Sequence, residues 1–291
     1  MKLARFAYEG GIALGWVDRS KERISRISDL RAPGDPTVAV MQMVFSAREP
    51  ALSGETYNVA DVRLVPPIAP PSKNILCIGK NYREHAAEFS RSGFDSSAGD
   101  TSDVVPDAPI IFSKAPCAMV GANDPITPPW DRTSMVDYEG ELGVDIGKEG
   151  RSIPASAAYD HLWGYTVIND VTARDLQAAH KQWLLGESID TFCPIGPWIV
   201  TADELDAENI ELKCWINGEL RQDANSRDLI FDIPKIIACI SASMTLSPGD
   251  IIATGTPSGV GIGFDPPKFL KPGDITRVAI SGIGEIENAV A

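Results

Sequence analysis

Three groups of side chains in this chain have types and spacings that could do chemistry. The first is the acidic stretch Met135-Val136-Asp137-Tyr138-Glu139-Gly140-Glu141-Leu142-Gly143-Val144-Asp145. Read with a period of two, Val136, Tyr138, Leu142 and Val144 fall on one face, and Asp137, Glu139 and Glu141 on the other. That alternation predicts a half-buried strand. Carboxylates at i and i+2 then point the same way and repel unless something neutralises them. A hard divalent cation held by oxygen ligands would do so, with the remaining positions left to water or substrate oxygens. An exposed, solvated strand face fits this stretch equally well.

The second group is His85 and Glu88, three residues apart in Lys80-Asn81-Tyr82-Arg83-Glu84-His85-Ala86-Ala87-Glu88. On a helix they share a face one turn apart. A carboxylate beside an imidazole fixes its tautomer and raises its basicity, as a general base requires. Alone, such a pair is more often a surface helix contact. The third group follows a strand-like run, residues 161–169, that ends at Asp170. If residues 171–183 form a helix, Asp170, Arg174, Gln177 and Lys181 lie on one stripe at about 100° per residue. The stripe either faces solvent or presents one metal ligand followed by donors suited to a carboxylate or keto acid.

The elements that must position these groups can be read in outline. Residues 3–17 predict two strands around Glu9-Gly10-Gly11, followed by a short helix near 38–45 and a strand at 61–64. Pro66, Pro67, Pro70 and Pro71 then stiffen a connection with few backbone donors. A boundary there divides the chain into a small N-terminal domain, 1–70, and a larger one, 71–291. Residues 74–79 predict a buried strand leading to His85. The polar, Gly/Ser-rich residues 90–107 form a long loop, either a lid over the site or a segment without function. Asn217-Gly218 between two strand-like runs predicts a hairpin, and residues 229–240 a helix with Pro234 in its first turn. Thr254-Gly255-Thr256-Pro257-Ser258-Gly259-Val260-Gly261 is a small-residue loop that lets backbone and hydroxyl donors approach a ligand.

Composition narrows the function classes. The chain has 291 residues, 44% hydrophobic and 23% charged, as in an ordinary globular protein. A net charge of −14 without a basic stripe argues against a nucleic-acid partner. The five cysteines are scattered and lack CxxC spacing, which fits reduced thiols better than a disulfide framework or zinc site. No membrane-length apolar run or signal-peptide core is present, so a cytoplasmic protein is expected.

Four motifs in order, Gly79-Lys80-Asn81-Tyr82-Arg83-Glu84-His85, Asp137-Tyr138-Glu139-Gly140-Glu141-Leu142, residues 169–177 and residues 254–261, resemble the fumarylacetoacetate hydrolase family over about residues 72–291. The resemblance implies a β-rich α+β fold with a mixed β-roll or sandwich catalytic domain beside the small N-terminal α/β domain, assembled as a homodimer. It implies Mg²⁺ or Mn²⁺ on Glu139, Glu141 and Asp170, and a water-activating dyad of His85 with Glu88. Arg174, Gln177 and Thr256 match positions lining the substrate pocket, and Tyr82 is taken with them as substrate-binding. The expected activity is hydrolysis of a C–C bond in a 2,4-diketo acid, an acylpyruvate or a diketo-deoxy sugar acid. The alternatives are an oxaloacetate-type decarboxylase or keto–enol isomerase on the same metal site, and a non-catalytic binder of metal and keto acid.

One position departs from the family. Members commonly carry Lys where this chain has Glu187. Either Lys181, assigned here as the catalytic cation, or Lys114 replaces it, or the substrate differs, or hydrolase chemistry has been lost. A changed substrate or reaction is the preferred reading.

Overall fold

The structure is a computed structural model that describes residues 1–18, 20, 22–30, 34–94 and 104–291. Half of the expected lid loop, residues 95–103, lies outside the described residues.

The fold is β-rich with few helices; its sheets are open, the largest of them mixed and the smaller two antiparallel. The strand Gly140–Ile146 lies inside a twelve-stranded sheet among the described residues. On one side it pairs antiparallel with Leu162–Asn169, in a register that sets Gly140 opposite Asn169 and Glu141 opposite Ile168. On the other it pairs with Ile251–Ala253, which runs parallel to Ile75–Gly79. Ile110–Lys114 closes that end of the sheet. Beyond Leu162–Asn169 comes Cys193–Thr201, whose antiparallel pairing with Lys2–Tyr8 joins the N-terminal hairpin to the same sheet. A four-stranded sheet carries Glu211–Ile216 and Glu219–Asn225, joined by Asn217 and Gly218 at φ 52° and 81°. Positive φ at both central residues is what this tight hairpin turn requires, and Asn-Gly meets it at low cost. The helix Ile233–Ser243 starts four residues later than expected. Asp232 accepts a hydrogen bond from the Lys235 N–H and caps it, and Pro234 fits the first turn.

Two sequence expectations need correction. The acidic stretch is not one half-buried strand. Val136–Asp137 pairs with Thr172–Ala173, whereas Gly140–Ile146 enters the large sheet with every residue buried. Period-two alternation cannot report this, because the acidic face is covered by other polar groups and not by water. Nor is 171–183 a single helix. The backbone of Thr172–Ala173 is committed to strand pairing, so the helix spans only Arg174–His180, and Lys181 leaves it at φ 59°. Arg174 and Gln177 therefore stay together on a buried face, while Lys181 is exposed.

Candidate functional site

A cleft opens where these elements meet. Glu139, Glu141, Arg174, Gln177 and Thr256 line its polar side. Phe89, Phe112 and Trp183 add an aromatic wall, and His85 lines the same cleft. Trp183 meets Phe112 and Phe89 edge-on, with ring centroids 5.0 and 6.0 Å apart.

Glu139 and Glu141 meet Asp170 behind this lining. Each is buried, and each offers a carboxylate oxygen within 4.8 Å of the others. Strand register makes this meeting. Glu141 sits on Gly140–Ile146, and Asp170 directly follows the neighbouring Leu162–Asn169. The Asp170 N–H donates to the Glu139 carbonyl at 2.8 Å, and the Glu139 N–H to Asn169 Oδ1 at 3.1 Å. Glu141 Oε2 accepts from the Gly255 N–H at 2.8 Å, which ties the 254–261 loop to the cluster. Burial, then Asp170 and Glu139, pushes the Glu141 carboxyl well above the usual range. Glu139 is also raised, by burial, against the pull of Arg174.

These residues fit a hard divalent cation. Asp170 Oδ1 has the Lys114 ammonium 2.5 Å away as an ion pair, whereas Oδ2 receives no hydrogen bond from a described residue. Buried carboxylate oxygens are normally satisfied. Three crowded carboxylates, one of them with an oxygen left without a partner, are the donor set that Mg²⁺ or Mn²⁺ prefers.

Two buried cations organise the acids. Arg174 donates from Nε to Asp137 at 3.0 Å, from one terminal nitrogen to Glu139, and from the other to Gln177 at 3.3 Å. Asp137 also accepts from the Gly261 and Ile262 N–H groups at 2.6 and 3.1 Å. Lys114 donates to Glu187 at 3.0 Å and to the Val171 carbonyl at 2.9 Å. Burial disfavours the charge on both cations. The pull of Asp170 and Glu187 on Lys114, and of Glu139 and Asp137 on Arg174, outweighs that cost and holds both above their usual ranges. Glu187 further accepts from Gln177 at 2.8 Å and Thr172 at 2.9 Å.

His85 and Glu88 share one face of the helix Arg83–Arg91, with Nδ1 and Oε2 3.2 Å apart. Glu88 is held in turn by the Gly259 N–H, at 3.1 Å. The backbone comes so close at Gly263 that an added Cβ would stand 1.7 Å from Glu88 Oε1. Thr256 is tied to the Gly140 carbonyl and accepts from Gln222.

Most of the residues singled out in the sequence thus gather in one place. Tyr82 is buried at the start of the His85 helix and does not line the cleft. Lys181 is exposed and stands outside the lining, whereas Lys114 is buried against Asp170. Sequence reasoning missed the part played by Asp137, although it shares the parity of Glu139 and Glu141. It also missed Asn81, which bonds the Phe231 and Thr254 carbonyls and so fixes two loops beneath the site.

Comparison with known proteins gives consistent results. Residues 74–291 match the family described as fumarylacetoacetate (FAA) hydrolase C-terminal, and residues 1–67 match one described as Rv2993c-like, N-terminal. The chain is 46% identical over 263 residues to the oxaloacetate tautomerase YisK of Bacillus subtilis, covering 89% of this chain and 84% of that one. It resembles the structure of 5-carboxymethyl-2-hydroxymuconate delta-isomerase from Mycobacterium smegmatis, with a TM-score of 0.78, 34% identity and coverage of 100% and 99% of the two chains. It also resembles maleylpyruvate hydrolase from Sphingobium sp. SYK-6 in complex with manganese (II) ion and pyruvate, with a TM-score of 0.77, 33% identity and the same coverage. With this match over three quarters of its length, the chain belongs to the fumarylacetoacetate hydrolase family.

Proposed function

We propose that this protein is a divalent-metal-dependent enzyme that interconverts the keto and enol forms of a small 2-keto acid of the oxaloacetate class. The observation that carries the reading is the meeting of Glu139, Glu141 and Asp170, the first two of which line one cleft with His85. The identity with an oxaloacetate tautomerase supports this reaction over the hydrolysis expected from the sequence. Glu139, Glu141 and Asp170 would hold Mg²⁺ or Mn²⁺. Once bound, such an ion supplies Lewis acidity toward the oxygens of a 2-keto acid.

The chain's own groups supply the proton chemistry. With Nδ1 donating to Glu88, His85 presents a basic Nε2. It takes a proton from the carbon next to the ketone, and the electron pair forms the C=C bond. The carbonyl oxygen gains the charge and then takes a proton back from the His85 imidazolium, directly or through water, giving the enol and restoring the base. Arg174, already bonded to Asp137, Glu139 and Gln177, keeps Glu139 aimed at the cluster, and its remaining N–H groups are suited to a substrate carboxylate. Thr256, tied to the Gly140 carbonyl, shapes the same cleft. The aromatic wall keeps water from the reacting carbon.

The test is to follow loss of the oxaloacetate enol by ultraviolet absorbance with Mg²⁺ or Mn²⁺, against an acylpyruvate panel analysed for cleavage products. Metal-dependent acceleration without cleavage supports the reading. Cleavage of an acylpyruvate with no effect on oxaloacetate would replace it with the second reading, C–C hydrolysis by water activated at His85. The Glu88-held imidazole and the likeness to a maleylpyruvate hydrolase favour that second reading.

A further inference from the structure

Lys114 presents a physical problem. Its ammonium is fully buried, and its Nζ lies 2.5 Å from Oδ1 of Asp170, one of the three acids that would hold the cation. A fixed positive charge in contact with a ligand oxygen opposes a divalent ion at that oxygen, and at this burial the repulsion is weakly screened. Once such an ion claims Asp170, the buried ammonium needs another counter-charge, because an uncompensated ion in the interior is costly.

Glu187 answers both difficulties. It is fully buried and sits 3.0 Å from Lys114 Nζ. Its oxygens are fixed by independent donors, Gln177 on Oε1 and Thr172 on Oε2. Lys114 therefore has a second carboxylate and the Val171 carbonyl to hold it when a divalent ion claims Asp170. We propose that Glu187 is a positioning residue for the metal: it cancels the charge of Lys114 and retains that side chain, leaving Asp170 available as a ligand. This inference rests on the metal-dependent reading above and adds to it a residue that touches neither ion nor substrate.

The experiment is calorimetric titration of Mn²⁺ into the metal-stripped full chain, compared with Glu187→Gln, Glu187→Asp and the double variant Lys114→Met/Glu187→Gln. Glu187→Gln is expected to bind Mn²⁺ at least about tenfold more weakly, because a buried negative charge near the ion is lost and Lys114 is left to Asp170 alone. Glu187→Asp keeps the charge and should stay within about threefold of the unaltered chain. The double variant removes the ammonium together with its counter-charge and should also return to within about threefold, a rescue that a merely structural role would not give. Unchanged affinity in Glu187→Gln overturns the inference, as does a double variant that binds as weakly as the single one. Should Glu187→Gln fail to fold, the double variant decides: recovery supports the inference and a tenfold loss overturns it. An unaltered chain that takes up no Mn²⁺ would contradict the proposed function itself, an outcome separate from unchanged affinity in the variants.

Discussion

The Asp170 N–H reaches the Glu139 carbonyl at 2.8 Å, so two residues 31 positions apart in the chain are locked backbone to backbone, with their carboxylates beside each other. The site therefore rests on sheet register and not on side-chain flexibility. A one-residue slip between Gly140–Ile146 and Leu162–Asn169 would turn Glu141 away from the cluster.

If three buried acids await a divalent ion, removing it should destabilise the folded chain. Stripping with a chelator is expected to lower the melting temperature, and Mn²⁺ at about a hundred times its dissociation constant should restore about 2.7 kcal/mol. Differential scanning calorimetry with and without metal checks this. Coincident transitions would count against a built cation site.

Replacing His85 should separate chemistry from metal binding. His85→Ala is expected to slow enol–ketone conversion by about 10²- to 10⁴-fold, the usual worth of a positioned general base. Mn²⁺ affinity should be close to unchanged. A variant that keeps the full rate would remove His85 from the mechanism.

Asp137 anchors Arg174 and the Gly261 and Ile262 N–H groups from a fully buried position. Asp137→Ala leaves the guanidinium short of a partner in the interior and should cost about 3–5 kcal/mol in chemical denaturation. A loss below about 1 kcal/mol would mean that Glu139 and Gln177 satisfy Arg174 without Asp137.

Asp145 predicts a pH effect remote from the cluster. Both its oxygens are buried without a hydrogen-bond partner among the described residues, and burial holds its carboxyl well above the usual range. The folded chain keeps that proton while the unfolded chain releases it near pH 4. The associated stability is complete below pH 4 and is lost as pH rises toward the folded value, by up to about 1.4 kcal/mol per pH unit. Asp145→Asn should flatten this decline when melting is followed from pH 5 to pH 8. Parallel curves for the two proteins would show that Asp145 is not the source.

Much of the site could be read from sequence because its residues lie in short, ordered motifs. Glu139 and Glu141 share a parity, His85 and Glu88 share a helical face, and Asp170 ends a strand. The hairpin at Asn217-Gly218 and the helix with Pro234 were legible from turn and cap chemistry. Burial was not legible. The acidic face resembles a solvated one in sequence, because the groups that cover it, Lys114, Arg174 and the 254–261 loop, arrive from distant segments. The Asp170–Lys181 stripe failed for a related reason, since pairing of Thr172–Ala173 with Val136–Asp137 overrides local helical periodicity. Glu187 looked like a departure from a lysine position, and its partner Lys114 lies 73 residues away.

The central claim is best tested by measuring Mn²⁺ binding and oxaloacetate enol conversion on the same samples of the unaltered chain, Glu141→Gln and Asp170→Asn. The account predicts that the unaltered chain binds the ion and accelerates the conversion, and that both properties fall together in each variant. Full conversion by the chelator-treated chain, or by either variant without bound Mn²⁺, would contradict it.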